Sequence, residues 1–382
     1  MDKCLMVRRV LLISNVPQHY RIPLFNELNR QLKEKNMELK VVFGSKGYKR
    51  RKFTLDFSEI KFNYEILKSI KIHFGNTEKT FFTYSGINQV ISEFKPDKII
   101  VSGFSIATVK IWLRSFFFRR IDYVIWSGAL DFPGRLDSWF RKFERRFLIK
   151  RASAFVAYGS KAKEYLVKMG APSEKVYIAI NTVDTKFFFQ ETNKIRAAIK
   201  QPEKKHFIYI GYLVPRKNVS KLIEIIEQLS KTRNDFVLDI LGDGNEKQLL
   251  EKMVAEKKLD DVIKFHGFIQ KNDLPKYLAA SICFLFQTDF DVWGLVVNEA
   301  MAAGIPVMSS YNAGATYDLI KDGETGFAVD YNNQSDVLKK INSLLDNLVL
   351  AESMGKNAEV FIAKNASIEI SAGGLLESVL LE

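Results

Sequence analysis

The chain has 382 residues, 47% of them hydrophobic, which is too long for one ordinary domain and apolar enough for two cores. It has no run near the roughly 20 apolar residues that a membrane-spanning helix needs. Lys and Arg number 57 against 44 Asp and Glu, and the net charge of +13 favours an anionic partner: phosphate, an anionic lipid surface or nucleic acid.

The N-terminal MDKCLMVRRVLLISNV has charges on both sides of a short apolar run and no small-residue cleavage site, so it reads as a first strand and not as a signal peptide. Further apolar runs follow at 39–44, 98–103, 123–128, 154–159 and 176–180. Segment 182–205 loses the strand pattern and turns polar. A second series then runs through 207–213, 236–242, 263–267, 282–286 and 306–310. These runs are continuously apolar and not alternating, which suits parallel strands buried on both faces. Amphipathic stretches separate them. In 220–232, Leu222, Ile225, Ile226 and Leu229 share one helical face, and Asn245 is placed to cap the next helix. Such alternation predicts an α/β fold of right-handed βαβ units. The expected division is 1–185 and 186–364, with a helix within 365–382 returning to the first domain. Cys4 and Cys283 lie too far apart for a metal or disulfide framework and are expected to be reduced thiols.

Four segments of the second half carry candidate chemistry, each at the carboxyl end of a predicted strand, where open α/β sheets bind ligands. In DVWGLVVNEAMAAGIPV, Gly294 allows a turn into a helix whose first N–H groups, at Leu295 and Val296, suit an anion. Glu299 lies one to two turns into that helix, where a carboxylate can accept paired hydrogen bonds from a ribose diol. Asp291 sits in the preceding loop. In GYLVPRKN, Gly211 and Tyr212 precede the cations Arg216 and Lys217, a set able to clamp a diphosphate. In LGDG, Gly242 and Gly244 allow close backbone approach to a ligand, and Asp243 reads as part of a tight connection. In HGFI, the backbone at Phe268 and Ile269 can read a base edge. Each segment alone also fits an ordinary loop with solvated charges. The D-x-D of Asp289 and Asp291 occurs commonly by chance, and no metal or other cofactor is expected.

Taken together, these motifs resemble the retaining glycosyltransferases of the GT-B fold, specifically glycosyltransferase family 4, the glycosyl transferases group 1. The resemblance is strong over 205–330 and weak over 14–28 and 156–170. It implies two Rossmann-like domains whose parallel sheets face across a cleft. It implies that Lys217 neutralises the donor diphosphate, Glu299 holds the ribose, Leu295 and Val296 contact phosphate, and Asp291 contacts the donor sugar. Three positions depart from the family pattern. Asp291 stands for the usual first Glu. Tyr212 replaces an arginine, for which Arg216 can compensate. Trp126-Ser127-Gly128 lacks the histidine of the acceptor-side loop, leaving Ser127, His19 and Arg21 as acceptor-side candidates.

The implied activity is retaining transfer from a UDP- or GDP-sugar to a lipid-linked or polysaccharide acceptor in cell-surface glycan synthesis. A nucleotide-sugar epimerase and a degenerate nucleotide-binding homologue are the alternatives. In 135–151, Leu136, Trp139, Phe140, Phe143 and Phe147 recur at helical spacing among seven basic and two acidic residues. Such a helix either lies on anionic membrane or packs its aromatics into the first domain. Segments 46–53 and 110–120 add basic and aromatic surface. No nucleic-acid fold signature accompanies them, and nucleic acid is not an expected partner. The expected location is the cytoplasm, peripheral to the inner membrane face.

Overall fold

A computed structural model describes residues 7–47, 56–73, 80–117, 121–131, 138–200 and 202–380. Cys4, most of the basic segment 46–53, residues 118–120 and residues 135–137 lie outside them. The strands are β1 (Arg8–Ser14), β2 (Met37–Phe43), β3 (Asn63–Ile66), β4 (Lys71–His73), β5 (Thr80–Phe82), β6 (Lys98–Ser102), β7 (Asp122–Ser127), β8 (Ala154–Ala157) and β9 (Val176–Ile178), then β10 (Lys205–Ile210), β11 (Phe236–Leu241), β12 (Ile263–Gly267), β13 (Ser281–Phe286), β14 (Val307–Ser310) and β15 (Gly326–Val329). The helices are α1 (Arg21–Glu34), α2 (Ile87–Phe94), α3 (Ile106–Phe117), α4 (Trp139–Arg151), α5 (Ser160–Lys168), α6 (Thr185–Ala198), α7 (Val219–Ser230), α8 (Lys247–Glu256), α9 (Leu274–Ala280), α10 (Leu295–Ala302), α11 (Gly314–Leu319), α12 (Gln334–Asp346), α13 (Leu348–Asn365) and α14 (Ile368–Leu380).

Contacts divide the chain into two units, one of Met1–Asn181 with Ile368–Glu382 and one of Thr182–Ser367. The first holds a parallel sheet in the order β3-β2-β1-β6-β7-β8-β9, with β4 and β5 as a separate antiparallel pair. The second holds a parallel sheet in the order β12-β11-β10-β13-β14-β15. Both orders reverse direction in the middle, at β1/β6 and at β10/β13. Loops on the carboxyl side diverge at such a switch point and leave room for a ligand.

The continuous apolar runs have a direct cause. In β1, Leu11 and Ile13 enter one core while Val10 and Leu12 enter the core on the opposite face. Both faces are covered by helices, so no polar alternation survives. In the second unit Phe207, Tyr209, Leu238 and Ile240 share a core with Leu222, Ile225, Ile226 and Leu229 of α7.

One local expectation is corrected. Asn245 does not cap a helix: α8 begins at Lys247 and is preceded by Glu246 with no side-chain cap. The Glu246 N–H instead bonds the Leu213 carbonyl at 3.0 Å, which ties this segment to the loop after β10 and delays the first turn. The glycine pair Gly373–Gly374 lies inside the last helix. Ala372, Leu375 and Val379 of α14 lie in the same core as Leu24, Leu28 and Leu32 of α1. Gly374 is required because a Cβ there would overlap the Ile178 carbonyl.

Candidate active site

The switch point of the second sheet brings two loops side by side, Gly211–Asn218 after β10 and Gln287–Gly294 after β13. They are stitched at the main chain. Asp289 N–H donates to the Arg216 carbonyl at 2.9 Å, and the Arg216 guanidinium donates to the Phe290 carbonyl at 3.1 Å. Asn218 donates to the Asp289 carboxylate at 2.9 Å from a left-handed backbone.

Lys217 is buried, and its ammonium pairs with the Asp291 carboxylate over the ring of Phe286, 4.7 Å from its centroid. Arg216 Nη1 stands 3.8 Å from the same carboxylate. Burial pushes the Asp291 carboxyl up, but the Lys217 charge and hydrogen bond, with Arg216, outweigh it and hold Asp291 below the usual carboxylate range. Asp291 therefore stays ionised and keeps the Lys217 side chain in one place. Its other oxygen accepts from Trp293 N–H at 3.2 Å. The two acids of the D-x-D diverge, Asp289 toward Asn218 and Gln287 and Asp291 toward Lys217.

Gly294 has a φ of 97°, and a Cβ there would collide with the Phe286 ring. It turns the chain into α10, where Leu295 and Val296 occupy the first positions, with N–H groups that the helix itself cannot satisfy. Glu299 follows on the same helix and is buried. Among the described residues no group donates a hydrogen bond to its carboxyl. Burial raises its pKa to about 8, and the charge of Lys271 acts in the opposite direction.

The glycines of LGDG sit where two loops of the protein approach closely. A Cβ on Gly242 would overlap the Gly211 carbonyl, and one on Gly244 the Leu213 carbonyl. The close approach is between two loops of the protein. It is reinforced by Gly211 N–H to Leu241 O and Leu213 N–H to Asp243 O, both at 3.0 Å. Gly211 in turn lies over the Tyr209 hydroxyl. Tyr212 follows it, half-buried. Phe268 and Ile269 continue from β12, also half-buried, and the Gly267 carbonyl accepts from Gly242 N–H at 2.8 Å.

Sequence reading missed a second polar cluster. Asp239, in the middle of β11, is buried between His206 Nδ1 at 2.5 Å and His266 Nε2 at 2.6 Å. Burial alone would raise the Asp239 carboxyl, and the two imidazole hydrogen bonds bring it below its ordinary value. The mid-strand Asp in FVLDIL was the available signal, since a strand buried on both faces keeps an acid only when it is paired.

In the first unit, Arg21 opens α1 and Ser127 ends β7. The Arg21 guanidinium is buried, lies 3.9 Å from the Trp126 ring centroid and donates to Tyr158 Oη at 2.7 Å. Its Nη1 is buried without a hydrogen-bond partner, and among the described residues no carboxylate pairs with it. The Ser127 hydroxyl accepts from Ala129 N–H at 3.0 Å, and His19 packs edge-on against Tyr20.

Comparison with known proteins agrees with this layout. Residues 190–361, most of the second unit, match the family model described as Glycosyl transferases group 1. Alpha-D-kanosaminyltransferase of Streptomyces kanamyceticus is 24% identical over 63% of this chain and 63% of its own length. Poly(ribitol-phosphate) alpha-N-acetylglucosaminyltransferase of Staphylococcus aureus is 28% identical over 50% of this chain and 39% of its own. This chain thus spans less than two thirds of either relative. Among solved structures, sucrose-phosphate synthase from Thermosynechococcus elongatus superposes with a TM-score of 0.76 at 17% identity, covering 98% of this chain and 99% of that one. The Anabaena protein HepE in complex with UDP gives 0.75 at 16%, covering 98% and 100%. Segment 190–361 is a glycosyl transferases group 1 region, and the chain as a whole has the GT-B fold.

Proposed function

We propose that the chain is a retaining glycosyltransferase that takes its sugar from a UDP- or GDP-sugar and transfers it to a lipid-linked or polysaccharide acceptor of the cell surface. The observation that carries the reading is the buried Lys217, fixed by Asp291 beside the amino end of α10, on the helix that also holds the buried Glu299. Lys217, Arg216 and the N–H groups of Leu295 and Val296 supply positive charge for a pyrophosphate, and Glu299 supplies acceptor oxygens for a ribose diol. The leaving group is a nucleoside diphosphate. Stabilising charge as it develops on that phosphate is then the main catalytic task, and these fixed donors perform it. Asp291, paired with Lys217 beside them, is assigned to the transferred sugar. Nothing in this scheme calls for a metal.

The names of relatives support the substrate classes. HepE was solved with UDP and with UDP-glucose, and the staphylococcal relative acts on a poly(ribitol-phosphate). On the acceptor side we assign Arg21. A buried guanidinium without a carboxylate is costly unless an anion completes it, so the proposed acceptor carries a phosphate or carboxylate that Arg21 holds.

The test is a thermal-shift screen with UDP-, GDP-, ADP- and dTDP-sugars. Stabilisation by one base and one sugar is expected through linkage of binding to folding. A chain that responds to none of them, or that responds equally after Glu299→Ala, refutes the donor site. Conversion of the donor with no acceptor present would identify an epimerase instead.

A further inference from the structure

Helix α4 is amphipathic in the wrong direction for a helix of a free-standing domain. Its buried side is Leu148 and Ile149. Trp139, Phe140, Phe143 and Phe147 are 75%, 65%, 51% and 41% exposed. At about 100° per residue these four fall within an arc of about 100°, almost diametrically opposite the buried pair. The aromatics therefore do not pack into the first unit, which was one of the two readings of the sequence. Their rings pack on one another, Phe143 with Phe147 at 4.6 Å and Trp139 with Phe143 at 6.0 Å. The patch continues onto α3, where the Trp112 ring lies 6.5 Å from Phe147 and 4.9 Å from Phe116, and where Leu113 and Phe116 are exposed. The exposed ring surface amounts to about 400–700 Å². That equals or exceeds the largest apolar patch of an ordinary monomer, about 300–600 Å².

The margin of the patch is cationic. Helix α4 carries Arg141, Lys142, Arg145, Arg146, Lys150 and Arg151 against the single acid Glu144. Lys150 Nζ lies 5.7 Å from the Phe147 ring centroid, and the Arg151 guanidinium 4.1 Å from that of Phe116. Arg145 turns inward, to Tyr165 and the Phe104 ring, and the Arg151 guanidinium also donates to the Ser115 hydroxyl and carbonyl, both at 2.9 Å. An aromatic centre ringed by long cationic side chains matches the interface of an anionic bilayer. Indole and phenyl rings settle there at the level of the head groups, and Lys and Arg reach back to the phosphates. A nucleic-acid strand would need a groove along which bases could stack, and these rings stand on a convex helix. No helix among the described residues is long and apolar enough to cross a membrane, so this contact would be peripheral.

We propose that the α3–α4 face docks the chain on an anionic membrane, with α4 lying in the plane of the interface and Trp139, Phe140, Phe143, Phe147 and Phe116 inserted. The inference is independent of the donor site, because the patch lies in the other unit and needs no nucleotide.

The test is co-sedimentation of the full chain with vesicles of phosphatidylcholine alone and with vesicles that also contain phosphatidylglycerol. Binding to the second and not the first is expected, weakening with salt. Phe143→Ser and Phe147→Ser should each lower the partition constant about tenfold. Arg146→Gln and Lys150→Gln should each lower it about fivefold. All four positions are exposed, so the melting temperature should not change. Trp139→Phe should keep most of the binding, while brominated lipid quenches wild-type fluorescence more than that of the variant. No binding to anionic vesicles, or wild-type binding by the serine variants, overturns the proposal. So does single-stranded DNA that binds the same face more tightly than the vesicles do.

Discussion

Glu299 links the stability of the second unit to pH in a way that one substitution can expose. The carboxyl is buried on α10, and its pKa stands at about 8 against an ordinary value of 4.5. Between those values the folded chain binds more protons than the unfolded chain, so stability falls as pH rises, by about 1.4 kcal/mol per unit. The stabilising contribution is fully present below about pH 4.5 and lost above about pH 8, and over the whole window it amounts to about 3–5 kcal/mol. Glu299→Gln keeps the shape and removes the titration. The variant should match wild type near pH 4.5 and exceed its unfolding free energy by about 4 kcal/mol near pH 8. Urea unfolding across that range measures the difference, and parallel curves for the two proteins would refute the reasoning. A ribose diol donating to the carboxylate favours the ionised form, so nucleotide binding near pH 7 should release a proton. Calorimetry in buffers of different ionisation enthalpy detects it, and the Gln variant should lose both the proton release and the affinity.

Other outcomes follow from neighbouring contacts. Lys217→Met removes the partner of the partly buried Asp291; it should lower stability by about 1–3 kcal/mol and transfer by about 100-fold or more, read by urea unfolding and initial rates. Unchanged turnover would end its assignment to the diphosphate. Gly244→Ala forces a methyl group into the Leu213 carbonyl and should cost about 1–3 kcal/mol while weakening nucleotide binding, because the same strain displaces the 211–218 loop. A variant with wild-type melting and affinity would show that the loops are not packed this way. Arg21→Met removes an uncompensated buried charge, so the free protein should become no less stable. With nucleotide saturating, inorganic pyrophosphate should raise the melting temperature of wild type and not of this variant; equal shifts would remove Arg21 from the acceptor side.

The interior strands were legible because burial on both faces leaves an uninterrupted apolar run, as at Val10–Ile13 and Phe207–Ile210. Strands β3 and β15 were not. Asn63–Ile66 is a short edge strand and largely exposed, while Gly326–Val329 opens with a glycine whose φ is 155° and whose Cβ would overlap Val307. The motif residues around the switch point could be named in advance because strand ends collect them. Their partners could not. The pairing of Lys217 with Asp291 spans 74 positions, and the Asp239 bridge to His206 and His266 depends on strand order. The glycines of LGDG signalled a close approach, and the packing of Gly242 on Gly211 and of Gly244 on Leu213 could not be read from the sequence. For α4, the periodic aromatics showed a face but not its direction, because exposure depends on which side the neighbouring helices already occupy.

The return of α14 to the first sheet makes the middle of the chain a single continuous insert, entered after Asn181 and left after Ser367. One stretch of coding sequence therefore holds every group assigned above to the activated sugar. An engineer could exchange nucleotide or sugar preference by grafting that stretch from a relative with two junctions, leaving Arg21 and the aromatic face of α4 in their original setting. On the proposed assignments, the unit that chooses what is delivered is separable from the unit that chooses where.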